Sequence, residues 1–161
     1  KPGKGTSVHC YFPAIPEAPI PEPVKGSIPA GGSETIMFID DEESLVNLAR
    51  RHLERLGYQV EVSTDPLKAI SRIQAEPERF DLVITDMTMP DMTGDKLIQE
   101  ITRIRPGIRT IITTGYSEKL EPDHSSRIGA SGFLPKPIDR NALADMIRRL
   151  LDDRDSREPG A

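Results

Sequence analysis

From Thr35 onward, short apolar runs alternate five times with stretches whose apolar residues fall at helical spacing. Residues 35–39, 58–63, 80–85, 109–113 and 131–134 read as strands. The stretches after them read as helices, and the loops are short. Strict β-α alternation leaves few arrangements open. Each crossover must return the chain to the same edge, so the strands run parallel, with five helices distributed over both faces of one sheet.

The local signals agree. Glu43 to Leu56 places Leu45, Leu48, Ala49, Leu53 and Leu56 near helical spacing, with Gly57 as the stop. Asp65-Pro66 is an N-cap followed by proline at the first helical position, and the helix packs Leu67, Ile70 and Ile73. Thr93-Gly94 opens a helix carrying Leu97, Ile98, Ile101 and Ile104, which Pro106-Gly107 ends. Residues 117–128 read as a weak helix. Asp139 caps a last helix packing Leu143, Met146, Ile147, Leu150 and Leu151, with a charged, frayed tail from 153 to 161.

The first 33 residues differ. Prolines crowd residues 13–29, so residues 14–33 read as an extended linker, with Gly31-Gly32-Ser33 as a flexible joint. No apolar run approaches the length of a membrane span. A net charge of −5 argues against a generally basic nucleic-acid-binding surface. Cys10, the one cysteine, cannot form an intramolecular disulfide. The opening, which lacks Met, suggests a piece of a longer, cytoplasmic protein.

Chemistry concentrates where the strands end. The first ends in Asp40-Asp41, the third in Asp86, the fourth in Thr113-Thr114-Gly115, and the fifth in Leu134-Pro135-Lys136-Pro137. In a parallel sheet these all lie on one edge, where ligands of open α/β sheets bind. Crowded carboxylates repel one another, and Mg²⁺ relieves that repulsion with a few carboxylates plus water and phosphate oxygen (Mn²⁺ is a second option). One carboxylate can then act as a nucleophile on phosphorus. Phosphoryl transfer spreads charge over three oxygens, and Mg²⁺, Lys136 and the Thr114 hydroxyl would each take one.

Residues 34–152 resemble the receiver domain of bacterial two-component response regulators, a flavodoxin-like fold with sheet order 2-1-3-4-5. The resemblance rests on Asp40-Asp41, Asp86 followed by Met89-Pro90 and Gly94, Thr114-Gly115, and Phe133-Leu134-Pro135-Lys136-Pro137. It implies that Asp86 is the phosphorylated aspartate. It implies Mg²⁺ bound by Asp41, Asp86 and the Thr88 backbone carbonyl, with Asp40 acting largely through water. Thr114 and Lys136 would contact the phosphoryl group, and Thr114 and Phe133 would be the switch residues. The Lys136-Pro137 bond would be cis. The partner would be a histidine kinase dimerisation or phosphotransfer domain, as donor or acceptor, and a weak or phosphorylation-dependent homodimer fits the pattern. Neither nucleic acid nor membrane is expected as a partner of this stretch.

Gly3-Lys4-Gly5-Thr6 through Pro13 resembles the end of a histidine-kinase ATP-binding domain, which would make residues 1–13 the remnant of a hybrid, membrane-anchored kinase. Rival readings stay open. One is an inert receiver-like binding module. Another is a regulatory domain that controls its neighbouring kinase and passes phosphate to nothing. A third is a Mg²⁺-dependent aspartyl-phosphate phosphatase, although Thr88 stands where such enzymes carry a second Asp. His52 reads as a structural residue of the first helix, and Arg140, Arg148 and Arg149 as a solvated helix face.

Overall fold

The computed structural model describes residues 8, 9, 11, 31–115 and 129–155. Five parallel strands form one sheet in the order β2-β1-β3-β4-β5: β1 (Thr35–Ile39), β2 (Gln59–Ser63), β3 (Leu82–Asp86), β4 (Arg109–Thr114) and β5 (Gly132–Pro135). Four helices are described: α1 (Glu43–Arg55), α2 (Pro66–Ala75), α3 (Gly94–Ile104) and α4 (Arg140–Asp155). The helix expected over 117–128 lies outside the described residues. A 3-10 turn, Pro77–Arg79, precedes β3 and was not foreseen. No helix among the described residues is long and apolar enough to cross a membrane.

The two faces of the sheet explain why the strands are almost continuously apolar. Ile36, Phe38, Leu82, Ile84 and Ile111 pack on one face with Leu53 of α1 and Leu143, Ile147 and Leu151 of α4. Met37, Ile39 and Val83 pack on the other with Ile73 of α2 and Leu97 and Ile101 of α3. Each fully buried side chain of this size contributes about 1.5–3 kcal/mol.

The expected caps hold. Asp65 Oδ1 accepts from the N–H groups of Leu67 (2.8 Å) and Lys68 (3.2 Å). Asp139 Oδ1 accepts from the Ala142 N–H at 2.8 Å. Gly57 closes α1 at φ +96°, a conformation costly for other residues. The Lys136-Pro137 bond is cis.

Four expectations need correction. Leu48 and Leu67 are each 53% exposed rather than packed, because the buried stripes run through Val46 and Leu53 on α1 and through Ala69 and Ile73 on α2. The last helix continues to Asp155, three residues past the boundary expected at 152. Gly32 is hydrogen-bonded through its N–H to the Leu56 carbonyl (3.1 Å), so it is not a free joint. Arg148 leaves the solvated face and bonds Glu34, Tyr58 and Asp152.

Candidate phosphoacceptor site

Strand register decides which side chains meet. In the β1–β3 ladder Ile39 pairs with Thr85, so the next residues, Asp40 and Asp86, lie level. In β3–β4, Asp86 pairs with Thr113. In β4–β5, Thr114 pairs with Pro135, so Lys136 follows on the same edge, where its N–H donates to the Thr114 carbonyl (2.7 Å). Sequence positions 40, 86, 114 and 136 are thus brought together by register alone.

Lys136 Nζ is the centre of the arrangement. It lies 2.8 Å from Asp40 Oδ2 and 2.7 Å from Asp86 Oδ1. Both carboxylates are buried, at 1% and 6% exposure, so each needs its charge compensated. Their remaining oxygens are used locally. Asp40 Oδ1 accepts from the Glu42 N–H at 3.0 Å, just ahead of α1. Asp86 Oδ2 accepts from the Thr88 N–H at 3.1 Å. Burial by itself would lower the Lys136 pKa. The hydrogen bonds to Asp40 and Asp86 outweigh it, and the ammonium is held above its ordinary 10.5.

Thr114 is buried at the end of β4. Phe133 is half-buried and packs beside Ile98 and Ile112. Asp41 is exposed at the rim, as is Thr88. Among the described residues no group of three Asp, Glu, His or Cys side chains stands ready to hold a metal ion. The donor chemistry still fits a hard cation, because Asp40 and Asp86 already converge on one positive charge and oxygen is the only donor type they present.

Gly94 completes the geometry from α3. A Cβ there would overlap the Asp86 carbonyl oxygen and come within 3.1 Å of Met87 Cα. The Gly94 N–H donates to the Met87 carbonyl at 2.8 Å, which fixes the loop after Asp86. One neighbour was missed at the sequence level. The Thr113 hydroxyl lies 3.4 Å from both Asp86 Oδ1 and the Thr85 carbonyl. The carboxylate is the stronger acceptor of the two because it is charged. A second hydroxyl beside Thr114 at the end of β4 was the available signal.

Beside the site a groove of about 530 Å³ runs between α1 and α4. Leu45, Leu48, His52, Ile138 and Leu143 line it, and Gly115 and Lys136 join it to the acid edge. The Leu45 and Leu48 side chains, out of phase with the core, belong to this groove.

A model of the response regulator receiver domain matches residues 36–148. The sensor kinase CckA of Brucella abortus (strain 2308) is 28% identical over 162 residues, covering 95% of this chain and 17% of the kinase. Sporulation initiation phosphotransferase F of Bacillus subtilis (strain 168) is 30% identical over 119 residues, covering 74% of this chain and 94% of that protein. The crystal structure of the receiver domain from hybrid histidine kinase CckA has a TM-score of 0.61 at 26% identity, covering 73% of this chain and 98% of that domain. The chain therefore spans under a fifth of the sensor kinase that it matches along nearly its whole length.

Proposed function

The chain belongs to the response regulator receiver family, and on that premise we propose that Asp86 accepts a phosphoryl group from a phosphohistidine in a Mg²⁺-dependent reaction. The observation that carries this reading is the placement of Lys136 Nζ against Asp86 and Asp40 at the ligand-binding edge of the sheet. An Asp86 oxygen attacks phosphorus as the phosphorus–nitrogen bond breaks, and the electron pair returns to the imidazole of the donor. The ammonium of Lys136, 2.7 Å from Asp86 Oδ1, lies where it can follow the charge onto the phosphoryl oxygens as they arrive. Thr114 donates its hydroxyl to the same group. Asp41, Asp86 and the Thr88 carbonyl, with Asp40 behind them, would hold Mg²⁺, which when bound supplies charge neutralisation for the incoming phosphoryl group.

Hydrolysis of the aspartyl phosphate by water resets the site, so the only reactions catalysed are gain and loss of the domain's own phosphate. Thr114 and Phe133 serve as the switch, passing the change to the surface around β5 and α4. The donor or acceptor is a helical histidine kinase domain, and the apolar groove beside Lys136 supports such a partner. The alignment with a sensor kinase over 95% of the chain supports a hybrid-kinase parent, with residues 1–13 from the ATP-binding domain, a proline-rich linker after them, and a receiver that runs to the end of α4 at Asp155. The reaction then takes place in the cytoplasm.

Intact-mass spectrometry after incubation with Mg²⁺ and acetyl phosphate tests the proposal. One phosphoryl group is expected on the native chain, and none on Asp86→Ala or in EDTA. A chain that gains no phosphate and also fails to bind beryllofluoride is an inert module, and the proposal fails.

A further inference from the structure

The end of the domain opposite the acid edge carries a second cluster of charge. Arg148 on α4 bonds Glu34 Oε1 at 2.7 Å, Asp152 Oδ1 at 2.6 Å and the Tyr58 hydroxyl at 3.4 Å. Its guanidinium also lies 6.0 Å from the centre of the Tyr58 ring. These partners come from three elements: the residue before β1, the residue before β2, and the last helix. The planar fork of an arginine suits such multiple bonding, and one fixed side chain therefore ties three segments together.

The backbone arriving at β1 threads through this cluster. The Gly32 N–H donates to the Leu56 carbonyl at 3.1 Å, and the Gln59 N–H donates to the Glu34 carbonyl at 3.0 Å. A Cβ on Gly31 would overlap the Leu56 carbonyl. On Gly32 it would overlap Glu34 Oε2 and Arg148 Nη1 and lie 2.8 Å from the Tyr58 ring. On Gly57 it would meet the Gly32 carbonyl at 2.7 Å. The glycines are here for close approach, not for freedom: the chain is pressed between α1's C-terminal end, Tyr58 and Arg148.

We infer that Gly31 to Glu34 form a fixed coupling, in which Arg148 of α4 clamps the incoming backbone so that the chain upstream is carried with the last helix instead of being loosely tethered. The inference does not depend on the phosphoacceptor reading. It gives the domain a mechanical connection to whatever precedes it. Any shift of α4 moves Arg148, and Arg148 holds the residues at which the upstream chain joins the sheet. A Gly-Gly-Ser joint without the clamp would average such a shift away.

The test uses ¹⁵N relaxation and amide hydrogen exchange on the 161-residue chain, with Arg148→Gln and Gly32→Ala as separate ways of opening the clamp. In the native chain the Gly32 and Ser33 amides are expected at order parameters of about 0.85, as in rigid backbone, falling below about 0.6 in both variants. Exchange of the Gly32 amide should rise at least about tenfold in both, while the β3 and β4 amides stay protected. Low order at Gly32 in the native chain overturns the inference. So does unchanged order in the two variants when β3 and β4 remain protected.

Discussion

Two cationic side chains near the C-terminal end of the chain each join the last β-α unit to β1, at opposite ends of the sheet. Lys136 reaches Asp40 and Asp86 at the C-terminal ends of the strands. Arg148 reaches Glu34 and Tyr58 at the N-terminal ends. The lysine is a point charge on a flexible stem, placed between two buried carboxylates that crowd one another. On the function proposed above, it would turn to the incoming phosphoryl group. The arginine is a fork whose partners are all structural, and nothing about its cluster invites exchange. On the function proposed above, reactivity and rigidity would be separated along the strands, with the same type of interaction serving both.

The comparison can be broken at the lysine with the largest effect. Lys136→Met removes the charge that would face the phosphoryl group, and phosphoryl capture is expected to fall by about 10²-fold, the range seen when one stabilising donor is lost. Single-turnover kinetics with acetyl phosphate measure it. By contrast, Arg148→Gln should leave that rate within about twofold and lower stability by about 1–3 kcal/mol, through lost charged hydrogen bonds. Equal losses of rate in the two variants would erase the distinction between the two ends.

Gly94→Ala attacks the reactive end through its backbone. The new Cβ overlaps the Asp86 carbonyl, so urea unfolding should show a loss of about 1–3 kcal/mol, the usual cost of overpacking. Thr113→Val sharpens the picture with a smaller change. It removes a 3.4 Å contact to Asp86 while keeping the shape, and phosphoryl capture should slow by a few fold, about 0.5–1.5 kcal/mol for one hydrogen bond. Thr113→Ser should restore it.

The smallest effect is on pH dependence, and both ends contribute. Lys136 is held above 10.5, its carboxylate hydrogen bonds outweighing burial. Tyr58 is raised above 10.0, chiefly by burial, against the lowering pull of Arg148. In each case the folded chain holds the proton more tightly than the unfolded chain. The stabilisation is complete below the unfolded values and is lost as pH rises through the folded ones. The urea midpoint should therefore be level near neutrality with respect to these two groups and decline above about pH 10. Lys136→Met should make that decline shallower.

The acid edge was legible in the sequence because its residues sit at the ends of apolar runs, where register alone assembles them. Asp40, Asp86, Thr114 and Lys136 needed no side-chain detail to be placed on one edge. The sheet order followed only from the resemblance to the receiver family, whereas the caps at Asp65 and Asp139 were legible for the same local reasons. The rigid end was not. Gly31-Gly32-Ser33 has the composition of a flexible joint, and only the tertiary approach of Leu56 and Arg148 fixes it. Arg148 lies among other arginines in the sequence, and its burial depends on Glu34, more than a hundred residues away. Leu48 fits a helical period but faces the groove, because the phase of a helix against a sheet is set by packing and not by spacing.

The central claim is that the phosphoryl group goes to Asp86 and to no neighbouring acid. Borohydride reduction of the phosphorylated chain, followed by peptide sequencing, tests this most directly, because an aspartyl phosphate is reduced to homoserine where it stands. The account predicts homoserine at position 86 alone, and only when phosphodonor and Mg²⁺ are both present. Homoserine at position 40 or 41, or phosphate retained on a side chain that borohydride does not reduce, would contradict it.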